Sequence, residues 1–102
     1  MSAANPVRGE AGLDLAGRSL LIRPSFAALV AAEAELGPLF ALCERAAAGQ
    51  LTLAEMAALL WHCCPEPGCG RPEFAEALVA GGLARATPAL RTLLGQILAG
   101  AG

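Results

Sequence analysis

The chain has no lysine and no tyrosine, one histidine and one tryptophan, and only 4% aromatic residues in a length of 102. All seven basic residues are arginines, scattered along the chain without forming a cluster or stripe, and the formal net charge is −2. Phosphate contacts dominate nucleic-acid affinity and call for concentrated positive charge, so DNA and RNA are excluded as expected partners. Long apolar runs are also lacking. The longest charge-free stretch, Thr92 to Gly102, is about half of the ~20 residues a membrane helix needs. The opening Met1-Ser2-Ala3-Ala4-Asn5-Pro6 lacks the basic flank and apolar centre of a secretory signal. With four cysteines and no such signal, the expectation is a soluble cytoplasmic domain with free thiols. No Cys-x-x-Cys, phosphate-binding glycine loop, serine elbow or paired carboxylates with an evident acid–base partner occurs, so neither catalysis nor a cofactor is expected.

What is abundant is alanine, glycine and leucine. Apolar residues make up 56% of the chain, a composition suited to small, closely packed helices rather than an aromatic-rich β-sandwich. A chain of this length buries roughly 65% of its unfolded surface and holds a core without disulfides or metal. Residues 1–9 and 100–102 read as a flexible arm and a frayed tail around a single domain at 10–99. From Glu10 to Arg23 the apolar period is two, with Leu13 and Leu15 flanking Asp14, Leu20 and Ile22 flanking Leu21, and Ala16-Gly17 between. This pattern predicts a hairpin in which Gly17 takes the positive φ of a tight turn. A lone hairpin is marginal, so its leucine face must rest on helices.

The remainder predicts about five helices, giving a mainly α (α+β) fold. Ser25 caps a first helix on which Phe26, Leu29, Val30, Glu33 and Leu36 fall at helical spacing, an apolar stripe with Glu33 at its edge, ended by Gly37-Pro38. A second helix from Pro38 carries Leu39, Leu42, Cys43 and Ala46 as far as Gly49. Thr52-Leu53-Ala54-Glu55 is a capping box for a third. Pro65, Pro67, Gly68 and Gly70 force a loop. Pro72 then opens a fourth helix that Gly81-Gly82 stops, and Thr87-Pro88 caps a fifth bearing Leu90, Leu93, Leu94, Ile97 and Leu98.

Ligand chemistry is confined to His62-Cys63-Cys64 and Cys69, which Cys43 on the preceding helix could complete as a zinc set of Cys43, His62, Cys64 and Cys69. Successive helical residues diverge by about 100°, which argues against convergence on one ion. Cys43 and Cys63 read instead as small core groups, Cys64 and Cys69 as loop thiols, and His62 as a water-exposed helix end. Glu33, at the edge of an apolar stripe, either stays solvated or pairs with Arg23 or Arg18. The third helix is apolar nearly all round, so it is central to the fold or meets a partner. Trp61 on that helix, with Leu90, Leu94 and Ile97 on the last, are the candidate partner-binding residues.

The ordered set Gly9-Glu10, Leu13, Leu15, Gly17-Arg18, Leu20, Ile22-Arg23-Pro24-Ser25-Phe26, Leu29, Glu33 and Gly37, followed by Gly49-Gln50-Leu51-Thr52-Leu53 and Leu60-Trp61, resembles the small proteins of gene transfer agents and related tailed phages, in the tail-assembly-chaperone group. The resemblance implies a hairpin-plus-helices fold and a role in tail morphogenesis. It implies binding of the helical tape-measure protein by an apolar helix face, in the helix-in-groove manner. The alternatives are a structural component of the tail or tube and, from the residues alone, a small zinc-stabilised interaction module. Other tail proteins and a second copy of the chain are the further candidate partners.

Overall fold

Two five-residue strands, β1 (Ala11–Leu15) and β2 (Arg18–Ile22), pair antiparallel with Ala11 opposite Ile22, Leu13 opposite Leu20 and Leu15 opposite Arg18. Alternate side chains of a strand share a face, and here Ala11, Leu13, Leu15, Leu20 and Ile22 are all buried while Gly12 and Asp14 face outward. The turn between the strands puts both central residues at positive φ, Ala16 at 51° and Gly17 at 77°. Gly17 takes the expected conformation. Ala16 shares it, although a residue with a Cβ pays roughly 1–2 kcal/mol there, because a two-residue turn matching the strand twist needs positive φ at both positions.

This computed structural model describes residues 10–99. The arm expected at 1–9 and the tail expected at 100–102 lie outside the described residues. After the hairpin come α1 (Phe26–Leu36), α2 (Leu39–Ala47), α3 (Leu53–His62), α4 (Arg71–Ala80), a 3₁₀ turn at Leu83–Arg85 and α5 (Thr87–Ala99). The helix starts follow from cap chemistry. Ser25 Oγ accepts the Ala28 N–H at 3.2 Å. Thr52 Oγ1 accepts the Glu55 N–H at 3.1 Å while Glu55 Oε1 accepts the Thr52 N–H at 3.0 Å, a reciprocal capping box. The start of α5 differs from expectation. The chain runs into it from the 3₁₀ turn, so Thr87 is already helical and its hydroxyl donates to the Leu83 carbonyl at 3.3 Å instead of capping.

The core is built from Leu13 and Ile22 of the hairpin, Leu42 of α2, Leu59 and Leu60 of α3, Cys63 just beyond it, Phe74 of α4 and Leu93 of α5, all essentially without exposed surface. β1 lies on α5 and α4, α3 meets α1 and α4, and α2 meets α5. The open end of the hairpin is fastened to the end of α3, where the Arg23 N–H donates to the Cys63 carbonyl at 2.7 Å.

The orientation of α1 corrects the expected stripe. Ala32 is its fully buried residue, and Ala28, Leu29 and Leu36 pack beside it. Phe26 is 85% exposed and Val30 49% exposed. Glu33, expected either to stay solvated at the edge of the stripe or to pair with an arginine, lies at the surface, where its charge escapes desolvation. Among the described residues no single helix is long and apolar enough to cross a membrane, and α1 and α2 reach that length only together, across a 77° bend.

Relief of the left-handed alanine makes a direct prediction. Ala16→Asn or Ala16→Gly is expected to raise stability by about 1 kcal/mol, since both residues enter that region more easily. Urea unfolding followed by circular dichroism measures it, and an unchanged midpoint in both variants would show that the turn carries no such strain.

Candidate functional site

Charged residues are few, and three of the acidic ones on the helical side, Glu33, Glu35 and Glu55, join one element to another. Glu35 on α1 lies 2.8 Å from His62 Nε2 at the end of α3 and also accepts the guanidinium of Arg71 at the start of α4. The Arg71 hydrogen bond, with that of His62 second, holds the Glu35 carboxyl down at about 2. His62, expected to face water, is therefore a half-buried bridge between two helices. Glu55 accepts both guanidinium nitrogens of Arg45, at 2.8 and 2.6 Å, and ties the end of α2 to the start of α3. That pairing, supported by the Thr52 backbone N–H, likewise lowers its carboxyl to about 2. Both groups stay ionised, the opposite of what a general acid requires.

Glu33 pairs with neither expected arginine. Its Oε2 accepts the Leu39 N–H at 3.1 Å, capping α2, whose own N-cap is Pro38 and has no side-chain hydrogen bond to give. A carboxylate is also favoured there by the helix dipole. Arg23 instead binds buried Glu10 at 2.8 Å, and Arg18 donates to the Pro67 carbonyl at 2.9 Å. Arg18 packs so closely over the loop that a Cβ on Gly68 would come within 1.9 Å of its Nη1.

The four thiols are free, with Cys43, Cys63 and Cys64 buried and Cys69 half-buried. Burial pushes the Cys63 thiol up to about 12, with adjacent Cys64 adding to the effect, and raises Cys43 and Cys64 as well. Metal binding and nucleophilic attack both need the thiolate. Cys64, expected as a loop thiol, is a core group because the chain turns inward before Pro65. Among the described residues no group of three His, Cys, Asp or Glu side chains could hold a metal ion, and Cys43, His62, Cys64 and Cys69 are not brought together as one.

The candidate partner-binding residues are placed unevenly. Trp61 is half-buried and meets Phe74 edge-on, with ring centroids 5.4 Å apart. Leu90 is buried, and Leu94 and Ile97 are half-buried against the core. Leu90 and Leu94 line a surface cleft of about 290 Å³ between the end of α2, the start of α3 and α5, together with Leu51, Met56 and Arg91. Large apolar side chains more exposed than these include Phe26 and Val30 of α1 and Phe40 of α2, the last 66% exposed. Sequence periodicity missed these three because α1 is apolar on every side and Phe40 opens a short helix. The exposed apolar surface and the cleft together are the features suited to binding other proteins.

A family profile described as phage tail tube protein, GTA-gp10, matches residues 8–100. The chain belongs to this family. The match spans both the hairpin and all five helices, beyond the segment that carried the resemblance to gene transfer agent and tailed-phage proteins. It corrects the expected role as a tape-measure-binding chaperone, since the family is one of tail tube proteins, which are structural. The physical basis of that expectation is also weakened: two of the residues invoked for the client, Trp61 and Leu90, spend most of their apolar surface inside the fold. No curated protein and no solved structure matches the chain.

Two predictions follow from the charges and thiols. Glu35 and Glu55 have folded carboxyl values near 2 against an ordinary 4.5. A lowered folded value means that their stabilisation is fully present above the ordinary value and is lost as pH falls toward 2. Urea midpoints are expected to drop over that acid range, and Glu35→Gln or Glu55→Gln to flatten the drop; the same slope in both variants would refute the assignment. With a thiol-reactive chromogen in native buffer, Cys69 is expected to react first and the three buried cysteines only on unfolding. Four equally fast thiols would contradict the burial described here.

Proposed function

We propose that this chain is a structural, non-catalytic subunit of a phage-like tail tube, incorporated into the particle beside other tail proteins and further copies of itself. The observation that carries this reading is the match of residues 8–100 to the tail tube family. The surface is consistent with it. Phe26, Val30 and Phe40 are large apolar groups left in water, and such groups, when gathered on a surface, mark sites of association. The ionised carboxylates join helices in ion pairs and the high-pKa thiols are buried, so neither supports a reading as proton donor or nucleophile. On this reading its working location is the assembled particle, not the free cytoplasmic pool.

The test is compositional. Quantitative mass spectrometry of purified tailed particles is expected to find the chain in many copies per particle, remaining with the tail when heads are removed. Complete absence from finished particles, with the protein abundant in the lysate, would overturn the proposal.

A further inference from the structure

We propose that Phe40 of one copy seats in the cleft between α2, α3 and α5 of a second copy, with Glu44 of the first facing Arg91 of the second. The biological meaning of this contact rests on the tail-subunit reading; the contact itself is argued from shape and charge. Phe40 stands in the first turn of α2, 66% exposed. Glu44 follows it by four residues, on the same helix face and about 5–6 Å away. It is exposed, and its carboxylate has no hydrogen-bond or ion-pair partner among the described residues. The knob is thus an aromatic ring with a free negative charge one turn along.

The cleft presents the complement. Its walls are Leu51, Met56, Leu90 and Leu94, and its volume of about 290 Å³ exceeds the roughly 150 Å³ in which a benzene ring fits. Arg91 also lines the cleft, exposed and without a carboxylate partner among the described residues. It adjoins Leu90 and precedes Leu94 by three residues, so a ring lodged between those leucines brings a carboxylate one turn away toward the guanidinium. Phe26 is a larger exposed knob but carries no such charge, because Arg23 beside it already binds Glu10 and Ser25 caps the helix.

Knob and cleft cannot satisfy each other within one chain. Ala46, which lines the cleft, is six residues from Phe40 and on a different side of α2, and Phe40 is not among the lining residues. A knob in one place and its hole in another give a heterologous contact. Such a contact leaves a free knob and a free hole at the two ends of every dimer, and so repeats as a ring or an open helical filament.

Charge reversal at exposed positions tests this while sparing the core. Using the full chain over a concentration series, sedimentation velocity is expected to show assembly of the wild type and its loss in Phe40→Ser. Glu44→Arg and Arg91→Glu are each expected to weaken assembly about tenfold or more, since like charges would then meet at the contact. The double variant Glu44→Arg/Arg91→Glu, and an equimolar mixture of the two single variants, are both expected to restore it. Circular dichroism checks that every variant keeps its helices; a variant that unfolds is replaced by Phe40→Gln or Arg91→Gln in the same series. Wild type that remains monomeric, single reversals without effect, or reversals that neither the double variant nor the mixture rescues would each overturn the contact. Particles that incorporate both single variants at wild-type levels would overturn it while leaving the tail reading standing. Absence of the wild type from particles, with charge-dependent assembly and its rescue intact in solution, would overturn the tail reading and uphold the contact.

Discussion

A two-stranded sheet has one apolar face and no second sheet to cover it, and the arrangement of this chain answers that deficit. Leu13, Leu15, Leu20 and Ile22 all point the same way, and isolated in water such a hairpin would be marginal. α5 and α4 provide the surface on which it rests, and α3 packs on α4 with Leu59 and Leu60 fully enclosed. The backbone link from Arg23 to Cys63 then joins the end of the hairpin to the end of the most enclosed helix. α1 and α2 complete the far side by packing on α3, on each other and on α5. In a chain with few aromatic side chains, this interleaving of leucine with alanine substitutes close approach for large buried rings.

The scarcity of charge gives each carboxylate more to do. Glu10 closes the hairpin, Glu33 supplies the acceptor that Pro38 cannot, Glu35 spans three helices, and Glu55 both caps α3 and holds the end of α2. Exposed ion pairs taken singly contribute little. Their placement, at the points where one element hands over to the next, bears more on which arrangement forms than on how stable it is.

Much of this was legible in the sequence because the governing signals are local. The period-two leucines, Ala16-Gly17, Ser25, the Thr52–Glu55 box and the glycine pair at 81–82 each act within a few residues, and the elements formed where they indicated. What could not be read was direction. Apart from Glu33 and Glu35, α1 is apolar, so its periodicity fits several rotations, and the one observed turns the small residues Ala28 and Ala32 inward. Partners across long separations, such as Glu35 with His62 and Arg71, leave no local trace either. Thr87 resembled a cap because the 3₁₀ turn before it has no distinctive pattern. For the function, a resemblance carried by short apolar motifs reached the tail proteins but not the role within them, since an apolar helix face looks alike whether it meets a client or a neighbouring subunit.

The bend between α1 and α2 has a consequence for association. Gly37 sits at φ 84°, a conformation closed to most side chains, Pro38 has its φ locked by its ring, and the first free N–H beyond them is held by Glu33. The 77° elbow is therefore fixed by covalent geometry and one hydrogen bond rather than by a swivelling linker. Phe26 opens one arm and Phe40 stands in the first turn of the other, and the angle between their helices was set when the chain folded. An incoming surface does not have to freeze that angle, so the ordering entropy that commonly erodes weak protein contacts has already been met.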